Sequence, residues 1–460
     1  MKMMRQTVLA LGVALLAGAG AVAQDTRTVT EPVIPAACVK LEAQLVNTGG
    51  SVAAADEAKL DTVRIQKALD GCGKGKAVEL AASGAKNAFL SGALQLRSGV
   101  TLLIDKGVTL FGSRDAEVFA TSPGSCGLVN EAAKGGCRPL IGVNNVKDAA
   151  VMGDGVIDGR GGMKILGKDV SWWDLAEQAR THGRQQCFRL IVADHSDNFT
   201  LYRVTLKNSP NFHVVYNAGD GFTVWGLKID TPKRLARNTD GVDPGNGAKN
   251  ITITHSYLRE GDDNVAIKGG TGGVTNMTVS HNHFYWGHGM SIGSETNGGV
   301  SKIRVFDLTL DGPDNGIRIK SNASRGGLVH DVVYDDVCVR DSPNPITLDT
   351  SYSAAGSLEG KLFPEYRDVT LHNVRVSGGG KISLNGYSHE YRAGVNLDTV
   401  LLTDAETATY TYSINHADIK LGPGPVNLKL EGGTDSTVSG KPGEGIVAGC
   451  KEKFVPFPTE

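Results

Sequence analysis

The sequence predicts an all-β fold: a single-stranded parallel β-helix, a solenoid with a short N-terminal capping helix. Three observations predict it. Glycine supplies 60 of 460 residues, about 13% against the usual ~7%, with no Gly-X-Y period. Strand openings recur at Phe199, Phe222, Ile251, Met277, Ile303, Val332 and Val369, in steps of 23, 29, 26, 26, 29 and 37 residues. Periods of this size mark stacked repeats. Beyond the first 70 residues helical periodicity nearly vanishes, so each repeat must be built from strands alone, coil pairing on coil. A large antiparallel sandwich is the competing architecture, but it does not favour a coil-length period.

The elements follow in chain order. Lys2 and Arg5, the apolar run Val8 to Ala17 and the small residues Ala21-Val22-Ala23 form the pattern of a secretory signal peptide over 1–23. A membrane anchor is the alternative, and the run is short and rich in Gly and Ala. Residues 24–460 then form one β-helix domain, with an N-terminal cap over about 24–75. Within it, 57–70 carries apolar residues near helical spacing (Leu60, Val63, Ala68, Leu69) before Gly71. Export permits disulfides. Cys38 and Cys72 are placed to tie the cap down, and Cys126 and Cys137 to staple a short Gly-rich loop. Of Cys187, Cys338 and Cys450 at least one stays unpaired within the chain, since seven is odd. A second helical signal lies around Trp172-Trp173-Asp174-Leu175. The repeats hold alternating strands such as Ile251-Thr252-Ile253-Thr254, and asparagines at equivalent turns (Asn198, Asn250, Asn276) can stack. From about 415 the chain is rich in Gly, Pro and Lys and gives little pattern.

Composition excludes several functions. Charged residues at 21% and hydrophobic residues at 40% fit neither a disordered tail nor a membrane bundle. A net charge of -2 predicts no nucleic-acid partner and no membrane attraction. An acidic substrate would need locally placed cations.

Four polar clusters recur at coil spacing: Asn238-Thr239-Asp240, Gly261-Asp262-Asp263, Gly287-His288-Gly289 and Arg318-Ile319-Lys320. Each alone reads as an ordinary turn or solvated strand. Residues one coil apart sit ~4.8 Å apart, so the four would meet on one face. Adjacent carboxylates repel and raise a pKa, an arrangement that acid–base chemistry exploits. On a regular strand Asp262 and Asp263 point to opposite faces; both reach one cleft if the chain bends at Gly261. An acid and water-activating carboxylates are the equipment of glycoside hydrolysis. Arg318 and Lys320 would hold an anionic group on the sugar, which suits a polymer of uronic acids.

In this order and spacing the clusters resemble those of the polygalacturonases, glycoside hydrolase family 28. The likeness to secreted bacterial endopolygalacturonases extends from Arg27-Thr28-Val29-Thr30-Glu31-Pro32 through Val170-Ser171-Trp172-Trp173 and Asn208-Ser209-Pro210-Asn211-Phe212-His213 to Asp349-Thr350-Ser351-Tyr352, and fades after about residue 400. The resemblance implies a right-handed parallel β-helix that hydrolyses the α-1,4 bonds of de-esterified pectin with inversion. It implies that Asp262 is the general acid, that Asp240 and Asp263 position and deprotonate water, and that His288 supports the acid. Asn238, Arg318, Lys320 and Tyr352 would contact substrate. A coil-spaced carboxylate pair lies near ~5 Å, a separation generally linked to retention; the resemblance favours inversion. It also implies no cofactor, no metal, and a secreted monomer whose partner is polygalacturonate. Cys187, Cys338 and Cys450 have no place in the family pattern. Exo-acting hydrolysis, a calcium-dependent pectate lyase and a non-catalytic glycan binder are the alternatives. Viscosity against reducing ends, unsaturated products, and absence of released ends discriminate them.

Overall fold

The computed structural model describes residues 24–131, 135–353 and 358–459; the expected signal segment 1–23 lies outside them. Parallel strands stack coil on coil. One eleven-stranded sheet runs from Leu94–Gln95 to Tyr410–Asn415, and a twenty-stranded sheet wraps the rest of the solenoid. The openings that recur in sequence fall into one register column: Phe199, Phe222, Ile251, Met277, Ile303, Val332 and Val369 pair successively. All seven are fully buried. A second column, in the eleven-stranded sheet, stacks Ile191, Val214, Val242, Val265, Met290, Ile317 and Ile346. Each such side chain contributes roughly 1.5–3 kcal/mol of burial. A one-residue slip would expose a whole column, so register is tightly specified.

Turn residues close each coil. Asn198, Asn250 and Asn276 adopt φ of 54°, 55° and 59°, the left-handed region that Asn tolerates. Asn276 Nδ2 donates to Asn250 Oδ1 at 3.3 Å, and Asn250 Nδ2 to Asp220 Oδ1 at 2.6 Å. The side-chain ladder is therefore present, with an aspartate as one rung.

Helix Thr62–Gly71 covers the N-terminal end. Its buried residues are Ile65 and Leu69, whereas Val63 is 80% exposed and Leu60 37% exposed. The apolar spacing in the sequence points in part to the wrong face, because docking on the first coils selects the stripe. The Cys38–Cys72 and Cys126–Cys137 disulfides are both present. A third joins Cys338 to Cys450, leaving Cys187 free and buried. The C-terminal region is not featureless: Ala417–Leu421 and Thr437–Gly440 extend the large sheet. The tail after Cys450 then turns back over the outer face. Lys453 pairs with Asp307 and Asp336, and Phe457 lies 3.8 Å from the Arg259 guanidinium. Among the described residues no helix is long and apolar enough to cross a membrane.

Candidate active site

The residues Asp240, Asp263 and His288 each stand two positions before the buried column Val242, Val265, Met290, so coil register alone brings them side by side. Around 261–264 the chain leaves strand geometry and bends. Gly261 is required there: a Cβ would lie 2.1 Å from the Ala236 carbonyl oxygen. The bend turns Asp262 and Asp263 into one cleft of about 830 Å³, which Asn238, Asp240, His288, Lys320 and Tyr352 also line. The Asp263 N–H donates to Asp262 Oδ1 at 3.0 Å and fixes the pair.

Arg318 and Lys320 arrive from the strand Asn315–Lys320. Arg318 does not stack on His288, as a simple count of coils suggests; it pairs in register with Ser291. From there it reaches Asp263 Oδ1 at 3.3 Å, while Lys320 Nζ reaches Asp263 Oδ2 at 2.7 Å. Ser291 Oγ donates to Asp263 Oδ1 at 2.8 Å. The Tyr352 ring faces both cations, at 5.2 Å from Arg318 and 5.1 Å from Lys320. Asn238, at φ 56°, lies at the cleft wall and accepts from Arg237 Nε at 3.3 Å.

Three residues of the cluster, Lys268, Asp243 and Glu260, carry no signal in the four polar motifs. Lys268 Nζ lies 2.9 Å from Asp240 Oδ2 and 2.7 Å from Asp243 Oδ2, with the Phe212 ring 4.1 Å away. Glu260 is fully buried and accepts from Asn264 Nδ2. A signal for Lys268 existed elsewhere: it follows the column residue Val265 by three, as Lys320 follows Ile317. The motif Asn208 to His213 serves support. His213 is buried, bonds Thr231 Oγ1 at 2.9 Å, and burial lowers it to about 4, so it is neutral. Trp173 Nε1 donates to the Ser209 carbonyl at 2.9 Å, tying helix Trp172–Gln178 to the same wall.

Environment separates the carboxylates. Burial, with the neighbouring charges of Asp243, Asp262 and Asp263, lifts Asp240 well above the usual range against the pull of Lys268. Burial likewise lifts Glu260, and raises Asp243 to about 6. Burial also works upward on Asp263, but Lys320 and Arg318 outweigh it and hold this carboxyl low. For Asp262 burial is outweighed by the hydrogen bond and charge of His288, whose Nδ1 is 3.0 Å from Asp262 Oδ1. On His288 burial works downward and the Asp262 contact, with the charge of Asp263, carries it above the ordinary imidazole range. The site thus favours the ionised form of Asp263, makes Asp240 hold a proton more readily than an ordinary carboxyl despite its contact with Lys268, and keeps one proton on the Asp262–His288 pair. Asp262, Asp263 and His288 present atoms within 4.8 Å of one another, a spacing a cation could bridge. Those atoms already bond one another, Ser291 and the cations Arg318 and Lys320, so fixed side chains supply the positive charge.

The sequence model described as Glycosyl hydrolases family 28 matches residues 72–419. An endo-polygalacturonase of Pectobacterium carotovorum subsp. carotovorum is 45% identical over 402 residues, 87% of this chain and 95% of that protein. A polygalacturonase of Ralstonia nicotianae is 36% identical over 524 residues, 98% and 97% of the two chains. The solved polygalacturonase from Erwinia carotovora ssp. carotovora superposes with a TM-score of 0.78 at 43% identity, covering 86% of this chain and 99% of that one.

Proposed function

The chain belongs to glycosyl hydrolases family 28, and from that premise we propose that it is an endo-polygalacturonase, hydrolysing α-1,4 bonds between galacturonate residues of de-esterified pectin. The observation that carries the reading is the ionised Asp263, locked between Lys320 and Arg318 beside a proton-bearing Asp262–His288 pair. General acid–base catalysis needs one group of each kind within reach of the scissile bond.

Asp262 is the more accessible carboxyl, its side chain 18% exposed against 4% for Asp240 and 3% for Asp263. It therefore meets the leaving oxygen and delivers the proton stored across the 3.0 Å bond to His288. Asp263 takes the proton of the attacking water. Asp240, with Oδ2 held by Lys268 and a buried Oδ1 that has no protein partner among the described residues, holds that water by hydrogen bond. Both Asp263 oxygens already accept from Ser291, Arg318 and Lys320. A carboxylate so engaged is a poor nucleophile at carbon, which favours direct attack by water and inversion. Lys320, Arg318 and Tyr352 face the sugar carboxylate. Secretion completes the reading: three disulfides suit an oxidising compartment, in keeping with the exported leader expected from the sequence.

The test follows viscosity and reducing ends together on polygalacturonate, with proton NMR of the nascent anomer. The expected result is a steep viscosity fall with few ends released and β-anomer first. Monomer or dimer from the outset would refute the endo reading; unsaturated products would refute hydrolysis; α-anomer first would refute inversion.

A further inference from the structure

The His288 ring meets a carboxylate at each nitrogen. Nδ1 faces Asp262 Oδ1 at 3.0 Å, and Nε2 faces Asp314 Oδ2 at 3.7 Å. Asp314 comes from the next coil, where its backbone N–H donates to the Gly287 carbonyl at 2.7 Å. Its carboxylate is braced by Lys233, whose Nζ lies 2.8 Å from Asp314 Oδ1 and 3.4 Å from the Gly312 carbonyl.

Lys233 comes from far along the solenoid axis. The register links Ile229 to Leu258, Leu258 to Phe284, and Phe284 to Leu310. The segment after Asp230, ending in the Lys233 side chain, therefore spans three coil spacings, about 14 Å. The same segment is pinned midway, where Trp286 Nε1 donates to the Thr231 carbonyl at 3.0 Å. One ion pair thus closes the wall segment beside the cleft and lays a carboxylate against the outer edge of the imidazole.

The chemistry of the ring gives this contact a role. A neutral imidazole has one N–H, and the other nitrogen is a bare acceptor that a carboxylate repels. A ring flanked by carboxylates on both sides is favoured as imidazolium, with Nδ1–H hydrogen-bonded to Asp262 and Nε2–H facing the charge of Asp314. The charged groups around it are Asp262, Asp263 and Arg318 on the inner side, and Asp314 with Lys233 on the outer side.

We propose that Asp314, braced by Lys233, is a positioning residue that holds His288 by its Nε2 edge, so that the Nδ1 proton stays aimed at Asp262 and is retained toward neutral pH. This rests on the reading of Asp262 and His288 as the proton-delivering pair. Asp314 touches neither the scissile bond nor the water; it acts through the ring.

The test reads the ring itself. In protein labelled with ¹⁵N-histidine, with His288 assigned from the missing signal of His288→Gln, both ring nitrogens should be protonated at pH ~6.5, where an ordinary histidine is half neutral. In Asp314→Asn the ring midpoint should fall by about half to one pH unit, a discount on the usual effect of a charge this close because the site is partly solvated. The alkaline limb of kcat on polygalacturonate should move down by the same amount, the two profiles converging on the acid side. Asp314→Glu should keep the wild-type limb. A bare Nε2 in the wild-type ring at that pH overturns the proposal, and this needs no variant. So does an Asp314→Asn ring that titrates as wild type, or a change confined to KM at every pH, which marks a role in binding. The ring titration requires no turnover: wild-type protein inert on polygalacturonate would sink the functional reading and leave this one standing.

Discussion

Lys320→Met is the most revealing substitution at this site. Lys320 and Asp263 are 2.7 Å apart with side chains only 6% and 3% exposed. Met keeps the length of the stem and removes the charge. Asp263 then retains Ser291 at 2.8 Å and Arg318 at 3.3 Å. A hydrogen bond to a charged group contributes about 1.5–3 kcal/mol, and each pH unit corresponds to about 1.36 kcal/mol. The ionised form of Asp263 should therefore be disfavoured by ~1–2 pH units, moving the acid limb of kcat/KM upward by that amount. At the plateau the lost contact to substrate should cost a further ~10- to 100-fold. Stability changes in a defined window. The Asp263 carboxyl is held below its unfolded value, so its stabilisation is present above that value and is lost as pH falls through the folded one. The gap in Tm between wild type and Lys320→Met should thus be wide at about pH 7 and narrow near pH ~3. The assay is a pH–rate profile on polygalacturonate and on highly methyl-esterified pectin, with thermal melts at both pH values. An unmoved acid limb would refute the claim that Lys320 keeps Asp263 ionised. Equal wild-type cleavage of both polymers would refute charge recognition.

Three other outcomes are expected. Asp262→Asn should lower turnover by about 10²–10⁴, the usual weight of a general acid, with circular dichroism near wild type and a modestly lower Tm, since the amide loses the charge that pairs with His288; an active variant removes it from that role. Exhaustive chelation should leave the rate on polygalacturonate unchanged, since Arg318, Lys320 and Lys268 supply the fixed positive charge; a loss restored by calcium would point to elimination chemistry. Cys450→Ser should release the tail and lower Tm while leaving kcat intact. The bridge closes a separation of 112 residues, for which chain entropy gives at most ~5 kcal/mol. Unchanged Tm and unchanged resistance of the tail to proteolysis would show that Lys453 and Phe457 hold it without the bridge.

The repeat is legible in the sequence because the residues that carry it are dictated locally. An inward β-branched or aromatic side chain must recur once per coil, so the spacing of Phe199 through Val369 is itself the register. The catalytic clusters are legible for a related reason: they stand at fixed offsets from the inward column. What escapes is set by packing between distant coils. The docked face of helix Thr62–Gly71 depends on where the first coils end, so Ile65 is buried and Val63 is not. The Cys338–Cys450 bridge depends on a tail that doubles back over the outer face, which no spacing rule encodes. Asp314 and Lys233 lie far apart in the chain and outside every polar cluster, and meet because a wall segment spans the three coil spacings that separate them.

The same stacking explains how several carboxylates share one cleft without unfolding it. Parallel register puts like positions ~4.8 Å apart, so acids at one offset repel along the axis. Asp240 and Asp263 are such a pair. The compensation lies in a second column of the same sheet: Lys268, Gly293 and Lys320 follow Val265, Met290 and Ile317 by three residues each. Lys268 serves Asp240 and Lys320 serves Asp263. Between them Gly293 sits at φ 98°, and a Cβ there would fall 1.9 Å from the Lys320 carbonyl oxygen. The coil between the lysines is therefore held bare, with the two lysine backbone positions two coil spacings, about 9.6 Å, apart. That gap, floored by backbone and flanked by ammonium groups, lies beside Asp240 and Asp263, the two carboxylates that the lysines hold. Substrate charge and catalytic protonation are thus set by the same pair of side chains, which is why a change at Lys320 should move both the pH profile and the preference for unesterified polymer.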